Sequence, residues 1–375
     1  MSNPFVTQTR LPDMDLWAHT EPKRVPFSFD LELTARCNND CRHCYINLPA
    51  GDRVAQQKEL TRGEITDIAG QAVALGALWC LITGGEPLLR SDFADIYVDL
   101  KRKGLLLSVF TNACPVTEEH VALFRRYPPR DIEVSVYGVT TETYEAVTRR
   151  PGSYAAFRRG LDLLLDGGVP VRLKAMALGS NVHELPEIAA FCRAHTRDYF
   201  RFDPLLHLRY DGDPLRNAEI HAERLSPAAI AAIEQADPER SDSLAKNCAD
   251  LILPDDEHAG CDHLVHCGAG LSSFSVGYDG TFRLCSDLVA AGCVYDLRTG
   301  SLTDAWYTWV PQVRALRSDS QAFREGCRSC GLVNLCLWCP AHGHMESGRL
   351  DGRSDYFCAV AEARAAAIQQ RLSEG

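Results

Sequence analysis

A chain of 375 residues, 46% hydrophobic and 24% charged, has room for a large core and for one to three domains. Its net charge of -11 argues against a nucleic-acid partner held by a general basic surface. Residues 1–24 lack the apolar segment of a signal peptide and the longest uncharged run, 68–85, is broken by Gln71 and glycines, which argues against secretion and a membrane span, and the 16 cysteines read as cytoplasmic thiols feeding metal sites.

Polar and apolar residues alternate over 27–34, which predicts a strand. It delivers the chain to Cys37-Asn38-Asn39-Asp40-Cys41-Arg42-His43-Cys44. Thr61 and Glu64 have capping-box spacing, so a helix is expected over 61–75. The short apolar run 77–83 then reads as a buried parallel strand. Helices at 91–103, 117–127, 154–166 and 183–195 alternate with strands at 105–111, 131–137, 169–177 and 199–204. Strands trading places with helices argue for a parallel α/β barrel or open sheet, whose functional residues gather at the C-terminal strand ends. Residues 205–260 read as a bridge with one helical stretch, 226–235, and from Cys261 onward cysteines are dense and only 359–372 is helical.

Cys37-x3-Cys41-x2-Cys44 places three thiols where they suit three corners of a 4Fe-4S cluster, leaving one iron open. The rivals are a zinc knuckle or three unrelated thiols, although structural zinc favours Cys-x2-Cys pairs and four ligands. Thr83-Gly84-Gly85-Glu86-Pro87 follows the second strand, where glycines let the backbone approach a ligand. Further on come Cys261-x5-Cys267, Cys285, the pairs Cys327-x2-Cys330 and Cys336-x2-Cys339, and Cys358. Two zinc ribbons would also fit those pairs, and His263 and His266 are further ligand candidates or exposed loop histidines.

The cysteine trio followed by Gly84-Gly85-Glu86-Pro87 resembles the radical S-adenosylmethionine (SAM) superfamily, over about residues 27–210. The downstream cysteines look like its SPASM extension. The resemblance implies an α/β fold: a partial (β/α)6 TIM-like barrel followed by a small cysteine-rich, iron-sulfur-binding SPASM domain. The expected division is an N-terminal extension at 1–26, the barrel at 27–210, a bridge at 211–260, the SPASM domain at 261–358 and a C-terminal helix at 359–375. It further implies three 4Fe-4S clusters. Cys37, Cys41 and Cys44 would hold the SAM-binding one, Cys261, Cys267, Cys285 and Cys339 the first auxiliary one, and Cys327, Cys330, Cys336 and Cys358 the second. The two-residue gap between Cys336 and Cys339 departs from the common three and bears on Cys339. Cys80, Cys114, Cys192, Cys248 and Cys293 are left over, with Cys80 and Cys192 read as core residues.

By the same resemblance His43, Gly84, Gly85, Glu86, Pro87, Thr111, Asn112, Ser135, Arg149 and Lys174 border SAM, although for Arg149 a solvated charge and for Thr111-Asn112 a plain turn are the plainer alternatives. The chemistry implied is reductive cleavage of SAM to a 5'-deoxyadenosyl radical that removes a substrate hydrogen, with an external donor such as flavodoxin or ferredoxin. Asp287, two residues past Cys285, is the one general-base candidate. SPASM proteins commonly modify ribosomally made peptides or proteins, and others act on small molecules or tetrapyrroles. Only 36 residues precede Cys37, too few for a leader-binding domain, so a separate leader-peptide-binding protein, the barrel mouth or a small substrate is expected. A multi-cluster electron carrier without SAM remains the non-enzyme alternative, and it leaves Gly84-Gly85-Glu86-Pro87 unexplained.

Overall fold

The alternating runs become strands in the computed structural model, which describes residues 23–196, 201–248, 262–336 and 338–374. They are β1 (Ser28–Glu32), β2 (Trp79–Thr83), β3 (Leu106–Thr111), β4 (Asp131–Val136), β5 (Val171–Met176) and β6 (Arg201–Asp203). Each pairs in parallel with the next. Tyr199 and Phe200, expected to open the sixth strand, lie outside the described residues, as does Cys261.

Helices Arg62–Ala74, Phe93–Arg102, Glu118–Arg126, Ser153–Asp166 and Leu185–His195 connect the strands. Their apolar stripes join Ile82, Val109 and Val134 in the core. In Phe93–Arg102 that stripe is Ile96, Tyr97 and Leu100, four residues or fewer apart as a buried helix face requires. The capping box forms as spaced: Glu64 N donates to Thr61 Oγ1 at 3.2 Å, and Thr61 N donates to Glu64 Oε2 at 2.7 Å.

Three features depart from the sequence reading. An additional helix, Thr141–Thr148, forms behind an N-cap at Thr140, whose hydroxyl accepts from Thr143 N. The bridge holds Pro214–Glu223 and Pro238–Cys248 besides Pro227–Ala236. Helices are also not scarce after Cys261, since Pro340–Ser347 forms there and Asp355–Glu374 extends the expected last helix. That last helix is clamped to Pro227–Ala236 by Arg364, whose guanidinium forks onto Glu234 at 2.7 and 2.9 Å with both side chains buried.

The sheet does not stop at β1. On its far side β7 (Ser273–Val276) runs parallel to β1, followed antiparallel by β8 (Thr281–Arg283) and β9 (Val294–Asp296). The order is therefore β9-β8-β7-β1-β2-β3-β4-β5-β6, one mixed sheet spanning both halves of the chain. Arg283 on β8 meets Glu32 at the end of β1 at 2.7 Å, with side-chain exposures of only 5% and 3%. Among the described residues no helix is long and apolar enough to cross a membrane.

Candidate active site at the strand ends

The segment leaving β1 is held before it reaches Cys37. The Arg36 guanidinium forks onto Glu59 at 2.7 and 3.1 Å, and Leu48 N donates to Ala35 O at 2.8 Å. Arg36–Cys37 and Leu48–Pro49 pair in parallel and close the cysteine loop. Four arginines then cap its carbonyls: Arg150 on Asn38 O (2.5 Å), Arg149 on Asp40 O (2.8 Å), Arg216 on Cys41 O (3.0 Å) and Arg209 on Cys44 O (3.4 Å). Guanidiniums on these carbonyls fix the loop and bring positive charge to a place where thiolates would otherwise repel.

Cys37, Cys41 and Cys44 all open on one cavity of about 270 Å³. Burial pushes all three thiols above their ordinary range, and charge on Cys37 and Cys44 pushes Cys41 further. Three such thiols ionise together only when a cation replaces their protons, as a metal cluster does. Asn39 N lies 3.4 Å and Asn112 Nδ2 3.7 Å from Cys37 Sγ, both as donors. The donor set, the shared cavity and the surrounding guanidiniums fit an iron-sulfur cluster.

Gly84 and Gly85 reach the cavity because their backbone lies against residues 34–36. Gly84 has φ +135°, and a Cβ there would sit 2.3 Å from Thr34 O; at Gly85 it would sit 2.3 Å from Arg36 O. Gly85 N donates to Thr34 O at 2.6 Å and Glu86 N to Arg36 O at 2.9 Å, so these amides serve the cysteine loop rather than a ligand.

Glu86 and Pro87, expected against SAM, are buried and off the cavity wall. The Glu86 carboxylate instead ties β2 to β3: Oε1 accepts from Leu88 N (3.1 Å) and Thr111 Oγ1 (2.9 Å), and Oε2 from Asn112 N (2.8 Å). Burial raises its pKa to about 7 against the pull of these donors. Replacing Glu86 with Gln puts an amide where a donor expects an acceptor, at an expected cost of about 1–3 kcal/mol. The stabilisation due to the raised pKa is full below the ordinary 4.5 and is lost as pH rises through about 7. Urea midpoints of the cluster-free protein should therefore show the gap between wild type and Glu86→Gln narrowing over that interval, and a gap independent of pH would refute this role.

The cavity wall also carries Ser135 on β4 and Lys174 on β5, adjacent in register. Lys174 Nζ is 3.3 Å from Glu133 Oε2 and 3.0 Å from the centre of the Phe110 ring. Thr111 and Asn112 line the cavity at the end of β3. His43 also lines it, its ring edge-on to Tyr137 at 5.1 Å, and burial lowers its pKa to about 4, which keeps the imidazole neutral at pH 7. Arg149 is not among the residues lining the cavity: it ends Thr141–Thr148 at φ 53°, and its guanidinium holds Asp40 and Glu219. Asp287 is likewise off the wall, accepting from the Tyr210 hydroxyl at 3.0 Å. The leftover Cys80, Cys192 and Cys293 are buried in the core, and Cys114 lies behind Asn39 rather than on the wall.

Among the cysteines with described side chains no disulfide occurs, and the C-terminal thiols influence one another. Burial, and then charge on Cys358, Cys330 and Cys327, raises Cys336 to about 12. Burial, and then charge on Cys285, raises Cys339 to about 12, and Cys285 in turn feels Cys267. Cys336 thus senses Cys327, Cys330 and Cys358, while Cys339 senses Cys285 and Cys285 senses Cys267. His266 is committed elsewhere, its ring nitrogens meeting His263 O and Arg328, both at 2.7 Å.

Residues 31–192 match the radical SAM superfamily. This stretch is a radical SAM domain. Such domains bind a 4Fe-4S cluster and SAM, which the thiol trio and its cavity suit. The chain carrying the radical SAM domain is 27% identical over 210 residues to the antilisterial bacteriocin subtilosin biosynthesis protein AlbA of Bacillus subtilis (strain 168), covering 52% of this chain and 44% of AlbA. It is 33% identical over 174 residues to GTP 3',8-cyclase of Paenarthrobacter nicotinovorans, covering 43% of this chain and 46% of that protein. The chain spans about half the length of the curated relatives it matches. Among solved structures, Streptococcus suis SuiB bound to precursor peptide SuiA has the same fold, with a TM-score of 0.65 at 15% identity over 96% of this chain and 84% of SuiB. Besides the radical SAM domain, that likeness takes in the cysteine-rich C-terminal region.

Proposed function

We propose that the chain is a radical SAM oxidoreductase of the SPASM type that modifies a ribosomally made peptide or protein, by oxidation or by a thioether or carbon-carbon crosslink. The observation that carries this reading is the single cavity onto which Cys37, Cys41, Cys44, Gly84 and Gly85 open at the C-terminal ends of parallel strands. When bound there, the cluster and SAM supply a carbon radical able to remove an unactivated hydrogen. The chain's own part is to hold the three thiolates, to face SAM with the backbone at Gly84 and with Ser135, Lys174, Thr111, Asn112 and His43, and to keep water from the cavity.

Cys261, Cys267, Cys285 and Cys339, and separately Cys327, Cys330, Cys336 and Cys358, would carry auxiliary clusters that pass electrons. A flavodoxin or ferredoxin is the proposed donor, a separate protein or the mouth of the cavity would hold the leader of a peptide substrate, and the proposed setting is the cytoplasm. A peptide substrate is supported by what AlbA's name says that protein makes and by the SuiA peptide held in SuiB. The likeness to GTP 3',8-cyclase favours the second reading, the same chemistry on a small molecule.

Anaerobic reconstitution followed by dithionite and SAM tests the reading. The expected result is 5'-deoxyadenosine, with iron at about twelve atoms per chain. Absence of 5'-deoxyadenosine would sink the SAM reading, and iron at about four atoms would sink the auxiliary clusters.

A further inference from the structure

His207, Asp287 and His342 stand far apart in the sequence and meet behind one wall of the cavity. They come from the segment after β6, the turn after Cys285 and helix Pro340–Ser347. One donor atom of each lies within 4.8 Å of the other two. The imidazole rings are 4.6 Å apart at an angle of 33°. His342 is buried and stacks on Phe357 at 4.8 Å, almost parallel, which fixes its plane. Asp287 is oriented by the Tyr210 hydroxyl at 3.0 Å and by Ser286 Oγ at 3.3 Å, both on Oδ1, so neither engages Oδ2. His207 lines the cavity, and its buried Nδ1 has no hydrogen-bond partner among the described residues.

We propose that these three side chains bind one divalent cation of the zinc or ferrous type, with its open coordination positions turned toward the cavity. Two imidazoles and one carboxylate are the donor set such ions take when positions are left for another ligand. Donors about 2 Å from one ion stand no more than about 4 Å apart, a closure that would come from rotation of His207, whose Nδ1 has no partner among the described residues. None of the cysteines assigned to clusters is used. The Tyr210 hydroxyl and the Phe357 ring act as the outer shell, one orienting the carboxylate and the other an imidazole. The open positions would take an oxygen or sulfur donor of a substrate lying in the cavity, so the ion would anchor the substrate in the cavity that the thiol trio shares.

The test uses the full chain with its clusters reconstituted, equilibrated with zinc and then desalted. Zinc and iron are counted by mass spectrometry, and the zinc surroundings are read by X-ray absorption. About one zinc per chain is expected, in nitrogen and oxygen coordination with imidazole scattering and with iron unchanged. His207→Ala should weaken that binding about a hundredfold or more, Tyr210→Phe about tenfold, and His207→Cys, which restores a ligand, should recover it. The idea is overturned if wild type takes up no zinc, if the zinc is surrounded by sulfur alone, or if His207→Ala binds as tightly as wild type. In each of those cases the trio is not a metal site. Because the readout needs neither SAM nor substrate, failure here leaves the radical reading standing, and failure of SAM cleavage leaves this one standing.

Discussion

Gly85→Ala is expected to lower 5'-deoxyadenosine formation about a hundredfold, the penalty of misplacing a reacting group by about 1 Å. The added Cβ would stand 2.3 Å from Arg36 O and 2.6 Å from Ala35 O, and both are backbone atoms with no flexible end to swing away. Relief comes only by moving residues 34–36, which carry Cys37 with them. The hydrogen bonds from Gly85 N to Thr34 O and from Glu86 N to Arg36 O lie on the same path, so the shift also loosens the link between β2 and the cysteine loop. Gly63→Ala is the control. It lies in helix Arg62–Ala74 with its nearest neighbour, Thr61 Oγ1, 3.9 Å from an added Cβ, and alanine there should be neutral or stabilise by up to about 1 kcal/mol. Equal turnover in the two variants would show that the close approach at Gly85 does not position the cluster.

Arg283→Leu is expected to cost about 3–5 kcal/mol, because it strands a buried carboxylate. Glu32 Oε1 has no hydrogen-bond partner among the described residues, and Oε2 relies on Arg283 at 2.7 Å. Burial already raises the Glu32 pKa, and Arg283 is the chief influence lowering it. Removing both charges should recover most of the loss, so Glu32→Leu combined with Arg283→Leu is expected to be far more stable than Arg283→Leu alone. Urea midpoints followed by far-UV circular dichroism decide it, and additive losses in the double variant would contradict the pairing.

Local signals carried much of this structure. Thr61 and Glu64 announced a helix start, and the alternation over 27–34 announced β1 because burial on alternate sides imposes that period. Asp213 followed by Pro214 was also a legible helix start, since the Asp213 carboxylate accepts from Leu215 and Arg216 and proline suits the first turn. The surrounding charge and turn formers of 207–217 hid it. Arg149 was legible only as a cation: its role follows from its left-handed backbone and from Asp40 and Glu219, which approach from elsewhere in the chain. The ring of Arg150, Arg209 and Arg216 around the cysteine loop, and the meeting of His207 with Asp287 and His342, have no local pattern at all. Tertiary folding brings them together, and no spacing in the chain encodes it.

The pairing of β7 with β1 also bears on when the site can exist during synthesis. Asp30 and Ser275 are register partners 245 residues apart, bonded through their side chains at 3.2 Å. Until the ribosome has released β7, the strand leading to the cysteine loop is an open sheet edge, prone to pair with whatever strand it meets. A closure over so long a separation is slow, so the sheet behind the cysteine loop is completed late, near the time the downstream cysteines emerge.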